Sequence, residues 1–470
     1  MGMTDLTDLM SIRLVFLLVS CSNTAAHLHV IAGAVGSLQM DQFLIGPIVR
    51  VGPNTLSISS LKAARTIYGN KPLLLKNEMY DAFSPGPKGV PCGLFPERDP
   101  EIHAEMRLVF APCFFEEELR RQEAAVQKQV ELLVDQIEHH GLDENGVDIN
   151  FWARSYASDV ISHLSFGQPF GSLETGTMHF WVAPLRRKFV LSAIFECCRR
   201  FPLMGSVYRH LYVRFGKVDA QALHSYSSAQ IKRRLASPPR ADYIGAVYKP
   251  GEKGMKLDLQ SLRANLYGMI IGATETTSFA ITAALYYLAK NQSAQQRLSE
   301  EVRSRFASYR GMTAEETASL PYLRAVIDEA MRMLPPSPLG GMRTSPGMVI
   351  DGNYVPAGTE VFASYISLSR SGSYFQMPDT FMPERWADAH NTDTKAASMP
   401  FSTGPRNCIG RPLALIKIRL AVAKLIYSFH VTLADEGFDL ENKSLHFGGP
   451  WVTPPVPLKF HSRGISKQRI

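Results

Sequence analysis

Cysteine is scarce in this chain, and its placement excludes more than its number does. Six thiols, at 21, 92, 113, 197, 198 and 408, are scattered over 470 residues. None forms the paired short spacing of a zinc site, and they are too sparse for a disulfide framework. Such usage fits a reducing, cytosol-facing compartment. No glycine-rich nucleotide fingerprint is evident, so direct use of NADPH by this chain is not expected. Internal repeats and low-complexity linkers are missing too, which points to one large domain. No stretch near the N-terminus approaches the ~20 continuous apolar residues that a spanning helix needs. Leu14–Val19 and Val30–Val35 are apolar, but Ser-Cys-Ser-Asn-Thr interrupts them and no signal-peptide cleavage site follows. Residues 1–42 read either as an imperfect membrane anchor or as an incorrectly assigned start. Residues 43–470 read as the folded domain.

What is present is ordinary globular material, 45% hydrophobic and 20% charged, with a net charge of +7. The charge is local. Between Met178 and Lys217 eight basic residues, among them Arg186, Arg187 and Arg214, face one acid, Glu196, which equals the whole excess. Aromatics such as Trp181, Phe195 and Tyr208 interleave with them. That mixture suits a membrane surface better than nucleic acid. A solvated helix face is the plainer alternative. Periodicity predicts a β-hairpin around Gly52-Pro53 and a helical pattern from about 99 to 137. It also predicts interrupted helices over 150–235, and short helices at about 322–333 and 411–427. The longest helix, about 259–290, is apolar almost all round and belongs inside the core. The class is mainly α with a small β portion.

The chemistry centres on "PFSTGPRNCIG", Pro400–Gly410. Cys408 lies at the end of a Gly/Pro-rich loop, just before a helix. A helix N-terminus favours anions and lowers a thiol's pKa. Gly404 and Gly410 permit tight turning and close approach to a flat ligand. Arg406 adds positive charge and Phe401 an aromatic face. A lone Cys-x-Gly is more often a buried structural thiol. Here five positions in ten residues agree.

The stretch resembles the haem-binding signature of the cytochrome P450 superfamily, with Phe401, Gly404, Arg406, Cys408 and Gly410 each matching. The resemblance implies that Cys408 is the axial thiolate of haem b and that Arg406 pairs with a haem propionate. Other segments fit the same reading. In "GATETT", Gly272, Ala273 and Thr276 share a helix face and leave room for dioxygen. The Thr276 hydroxyl can bond the carbonyl four residues back. Glu275 is an acid in an apolar helix, costly without a partner. The resemblance assigns Glu275 and Thr276 to proton delivery, against an exposed polar patch as the alternative. Glu329 and Arg332 are spaced to pair, and the resemblance adds Arg385 from "FMPERW" as a third, structural member. Arg343, and the one-turn pair His103 and Arg107 in "HAEMR", are implied propionate ligands.

The resemblance covers about Phe43–Phe460, in the family's order of motifs, and is nearest to enzymes of filamentous fungi that tailor secondary metabolites. It implies the single-domain P450 fold with a long central helix. The expected activity is hydroxylation or epoxidation of a lipophilic terpenoid or polyketide. Pocket walls are expected from about 80–98, near Met269, 338–344 and 449–454. Electrons are expected from the NADPH–cytochrome P450 reductase, at the cytosolic face of the endoplasmic reticulum membrane, with a monomeric enzyme and no nucleic-acid partner. A haem-thiolate isomerase or dehydratase, and an inactive truncated haem-binding paralogue, are the alternatives. The chain departs from the family pattern in three places. Its first proline is Pro47, so the usual hinge and first helix are expected to be missing or altered. Ala273 stands where glycine is common. Lys417 replaces a common glutamate and is expected to add charge near the electron-entry face.

Overall fold

The computed structural model describes residues 46–69, 73–83, 92–141, 145–187, 189–190, 217–238, 240–247, 258–446 and 449–463. The N-terminal segment and most of the basic, aromatic stretch lie outside these residues. The predicted hairpin forms β1 (Ile48–Gly52) and β2 (Thr55–Ile58), antiparallel, with Ile48 opposite Ile58. Helix α1 (Leu61–Tyr68) follows, its start satisfied by the Ser60 hydroxyl accepting from the Ala63 amide. A short strand β3 (Leu75–Lys76) comes next. Strands β4 (Arg343–Thr344) and β5 (Glu360–Ala363) complete a five-stranded sheet in the order β1-β2-β5-β4-β3. Only the β2–β5 pairing is parallel. Lys76 and Arg343 are register partners in it, which brings two basic side chains to one place.

The helical pattern predicted over 99–137 splits in two. Helix α2 (Pro100–Phe110) begins with Asp99 accepting from the amides of Glu101 and Ile102. It ends in a tight turn, Ala111–Phe114, where Pro112 has no amide hydrogen to continue the ladder. Helix α3 (Glu116–His140) then restarts. Helix α4 (Ile149–Phe166) is buried along nearly its whole length, and α5 (Lys217–Leu235) follows.

The central helix α6 (Leu259–Lys290) has 32 residues, about 48 Å at the usual rise per residue. It is capped by Asp258 and runs through the core as its apolar circumference requires. From Thr277 to Ala289 every side chain is buried. Around Gly268–Ala273 the helix instead borders open space. Helix α7 (Pro321–Met333) and helix α8 (Arg411–Ser428) pack on it from one side and α4 from another. Among the described residues no helix is long and apolar enough to cross a membrane.

Candidate active site

The loop before α8 is shaped by two left-handed residues, Ser402 at φ 59° and Gly404 at φ 77°. Its backbone closes on itself, the Asn407 amide donating to Gly404 O at 3.1 Å and the Cys408 amide to Phe401 O at 3.0 Å. Side chains brace it from outside. The Tyr365 hydroxyl donates to Ser402 Oγ at 2.7 Å. The Arg107 guanidinium donates to Asn407 O at 2.9 Å and to Asn407 Oδ1 at 2.6 Å. The Arg411 guanidinium lies over the Phe401 ring, 5.7 Å from its centre.

Cys408 presents an accessible surface at the end of this loop. Burial raises its thiol pKa, and the amides of Gly410 and Arg411 and the charges of Arg107 and Arg411 pull it back. That environment suits a sulfur whose proton is replaced by a metal: two amides and two cations already point at the anion. Gly410 leaves its side undisturbed, since a Cβ there would meet only a Phe114 ring carbon at 3.8 Å.

Beside the loop lies a cluster of basic side chains. Arg406 donates to the carbonyls of Glu97 and Arg98, at 2.6 and 2.8 Å. Arg343 donates to the Tyr80 hydroxyl at 3.3 Å, and its Nε is buried without a partner among the described residues. Lys76 is buried, with Nζ donating to Phe95 O at 2.6 Å and lying 4.9 Å from the Tyr80 ring centre. Burial, then Arg406 and Arg343, pull the Lys76 ammonium down to about 6. Burial, then Lys76, Arg406, Arg107 and Arg343, hold His103 down to about 3. Glu97 is the acid that pulls against these effects on Lys76, and it also accepts from the Cys92 thiol at 2.9 Å and the Asp99 amide at 2.7 Å. Two guanidinium groups, beside a lysine and a histidine whose charged forms lack an anionic partner strong enough to hold them, fit a ligand bearing carboxylates. With the accessible thiol beside them, the residues fit haem with its two propionates.

On the central helix the Thr276 hydroxyl donates to Gly272 O at 2.5 Å, as the spacing predicts. Gly272 is exposed, and nothing lies within 4 Å of where its Cβ would be. Glu275 is 3% exposed and has a partner. Arg154 of α4 donates to its Oε1 from Nη2 at 2.6 Å and from Nε at 3.1 Å. Arg186 lies 3.8 Å from the other carboxylate oxygen and donates to Thr453 O at 2.9 Å.

In the described part of the basic stretch Phe180 and Arg187 are exposed, while two residues turn inward. Trp181 is fully buried, its indole donating to Ser227 Oγ at 3.0 Å, and Arg186 turns toward the core acid. Lys417 corrects an expectation. It stands on no surface; it is 0% exposed, and its Nζ donates to Ala157 O and Ala273 O, both at 3.1 Å. Trp451, expected in the pocket wall, stacks on Phe279 and donates to Pro335 O at 2.8 Å, so it backs the wall from the core.

Glu329, Arg332 and Arg385 come together, all three fully buried. Arg332 donates to both Glu329 oxygens, at 2.8 and 2.9 Å, and Arg385 Nε donates to Oε1 at 3.1 Å. The Trp386 indole and the Met382 amide add donors, both at 2.8 Å. Arg385 also reaches Asp393, so the triad pins the segment that leads to the cysteine loop.

Sequence reasoning missed Lys76, Tyr80 and Arg154. Lys76 has a local signal, a lysine directly after three leucines in a strand too short to show alternation. Arg154 has none, being 121 residues from Glu275.

A family profile described as Cytochrome P450 matches residues 46–460. The chain is 32% identical over 424 residues to cytochrome P450 monooxygenase ORF9 of Penicillium roqueforti, covering 89% of this chain and 82% of that one. It is 30% identical to cytochrome P450 monooxygenase BOT4 of Botryotinia fuckeliana, covering 94% and 84%. Averantin hydroxylase of Aspergillus parasiticus is 33% identical, covering 85% and 81%. The fold matches the crystal structure of the cytochrome P450DA heme domain with a TM-score of 0.78, over 93% of this chain and 95% of that one, at 19% identity. With its relatives and its fold in agreement, this chain belongs to the cytochrome P450 family of haem-dependent monooxygenases.

Proposed function

We propose that the chain hydroxylates or epoxidises a lipophilic small molecule of fungal secondary metabolism, a terpenoid or a polyketide, with haem b as its cofactor. Cys408 would ligate the iron from one side, with Phe401 and Gly410 beside it. Arg343, Arg406, His103 and Lys76 would face the propionates. Arg107, bonded to Asn407, would hold the loop in place. Bound there, the haem supplies the activation of dioxygen and the oxidation of substrate carbon.

The remaining steps belong to the protein. Apolar residues of the central helix and of the segments at 92–98 and 338–344 bind the substrate and exclude water. Thr276 donates its own proton to Gly272 O, which leaves its oxygen as a hydrogen-bond acceptor for a proton donor such as water. Glu275 is paired with Arg154, so it reaches any other partner only when that pair loosens. Electrons come from an NADPH reductase at the endoplasmic reticulum membrane, since the chain has no nucleotide fingerprint of its own.

The observation that carries this reading is the accessible sulfur of Cys408 beside the gathered basic side chains of Arg406, Arg343, Lys76 and His103. The test is the spectrum of the reduced protein under carbon monoxide. A thiolate-ligated band is expected, and Cys408→Ser is expected to lose it together with reductase-dependent product. A spectrum unchanged by Cys408→Ser would overturn the assignment. Product formed without reductase or NADPH would favour the isomerase or dehydratase alternative.

A further inference from the structure

The helix that follows the cysteine carries a cation inside the core. Lys417 joins three helices at one point. Its Nζ donates to Ala157 O of α4 and Ala273 O of α6, and its own carbonyl accepts from the Tyr156 hydroxyl at 3.2 Å. Ala273 lies in the Gly272–Thr276 stretch. The carbonyl before it, Gly272 O, receives the Thr276 hydroxyl. Two consecutive carbonyls of the central helix therefore each hold a side-chain donor. Such donors tilt carbonyls away from the helix axis and loosen the turn they belong to.

Among the described residues no carboxylate balances this lysine. On α6, Glu275 is committed to Arg154, which commits Arg154 of α4 as well. Asp159, also on α4, accepts from the amides of Ser172 and Leu173 at 3.1 and 2.9 Å. Burial alone pulls the Lys417 ammonium down to about 7. A methionine would fill similar volume at no such cost.

We propose that Lys417 is a positioning residue for proton delivery: by holding Ala273 O it fixes the loosened turn between Gly272 and Thr276, and with it the Thr276 hydroxyl. The inference rests on the monooxygenase reading above. Its test uses the haem-loaded full chain with Lys417→Met, which removes the donor, and Lys417→Gln, which keeps a neutral one.

Amide hydrogen exchange over 270–280 is the first readout, and it needs no turnover. In Lys417→Met the Thr276 and Thr277 amides are expected to exchange more slowly, by about three- to tenfold, the range of one hydrogen bond of ordinary net strength. Product formed per NADPH consumed, with a reductase, is the second. It is expected to fall several-fold in Lys417→Met at unchanged substrate affinity, with Lys417→Gln between the two. Exchange in this stretch unchanged in both variants would overturn the inference, as would unchanged coupling in Lys417→Met. A wild-type protein with no thiolate spectrum would instead overturn the parent reading, and the exchange result would still stand.

Discussion

Gly404 is pressed against the end of helix α1 so closely that a Cβ on it would lie 1.8 Å from the carbonyl oxygen of Tyr68. Its φ of 77° is also one that side chains resist. Both the space and the backbone angle demand glycine here. Gly404→Ala is expected to displace the cysteine loop and to yield protein with little or no haem, measured as the ratio of haem to protein absorbance. Gly410→Ala meets no such contact and is expected to fold with an unchanged unfolding temperature.

Lys76 gives haem capture a pH dependence of definite sign. In the free site its ammonium is pulled down to about 6 by burial and by Arg406 and Arg343, so at pH 7.5 it is mostly neutral. A propionate placed beside it favours the charged form and raises that value. Binding must then take up a proton, and affinity rises as pH falls from about 8 toward 6. Haem titration of the haem-free protein across that range is expected to show this slope. Lys76→Met is expected to bind more weakly and to flatten it.

What the sequence disclosed follows from how local each signal is. The central helix was legible because it is apolar around its whole circumference and Asp258 marks its start. The cysteine loop was legible because five residue types stand at fixed offsets around one thiol. Glu329 and Arg332 sit three apart on one helix, so half of their network could be read directly. Pairs made by distant elements, Arg154 with Glu275 and Lys76 across from Arg343, carry no trace in local spacing. Lys417 was misread because lysine is ordinarily solvated. Its neighbours gave a usable warning: Leu413, Leu420 and Ala421, three to four residues away, are all buried, so its face of α8 had no route to water.

The triad around Glu329 makes a test of stability rather than chemistry. Glu329 accepts from Arg332, Arg385, Trp386 and the Met382 amide, all without access to solvent for the ionic partners. Removing the carboxylate strands the buried Arg332 guanidinium and leaves Arg385 with Asp393 alone, a loss of about 3–5 kcal/mol. Glu329→Ala is expected to be insoluble or haem-free. Arg385→Lys keeps the charge but loses the fork that spans Glu329 and Asp393, and is expected to lie between. Soluble yield and haem content set Glu329→Ala apart, and thermal unfolding followed at the haem band ranks Arg385→Lys against wild type.

Lys417 should reveal itself through the pH dependence of stability. Its ammonium titrates at about 7 in the folded protein and at the ordinary 10.5 when unfolded. Between those values the unfolded chain binds more protons, so wild-type stability rises with pH across that window. Lys417→Met removes the term. The variant is expected to be more stable than wild type at pH 6, by something on the order of a few kcal/mol less the two lost hydrogen bonds. Its advantage is expected to vanish toward pH 10. Lys417→Glu reverses the slope: a carboxyl facing two carbonyls must keep its proton, so its folded pKa is raised and stability falls as pH climbs from about 5 to 8. Unfolding temperatures of the holoenzyme at pH 6 and pH 9.5 distinguish the cases. Parallel profiles for all three proteins would place the Lys417 amine in water and remove the structural basis for its hold on Ala273.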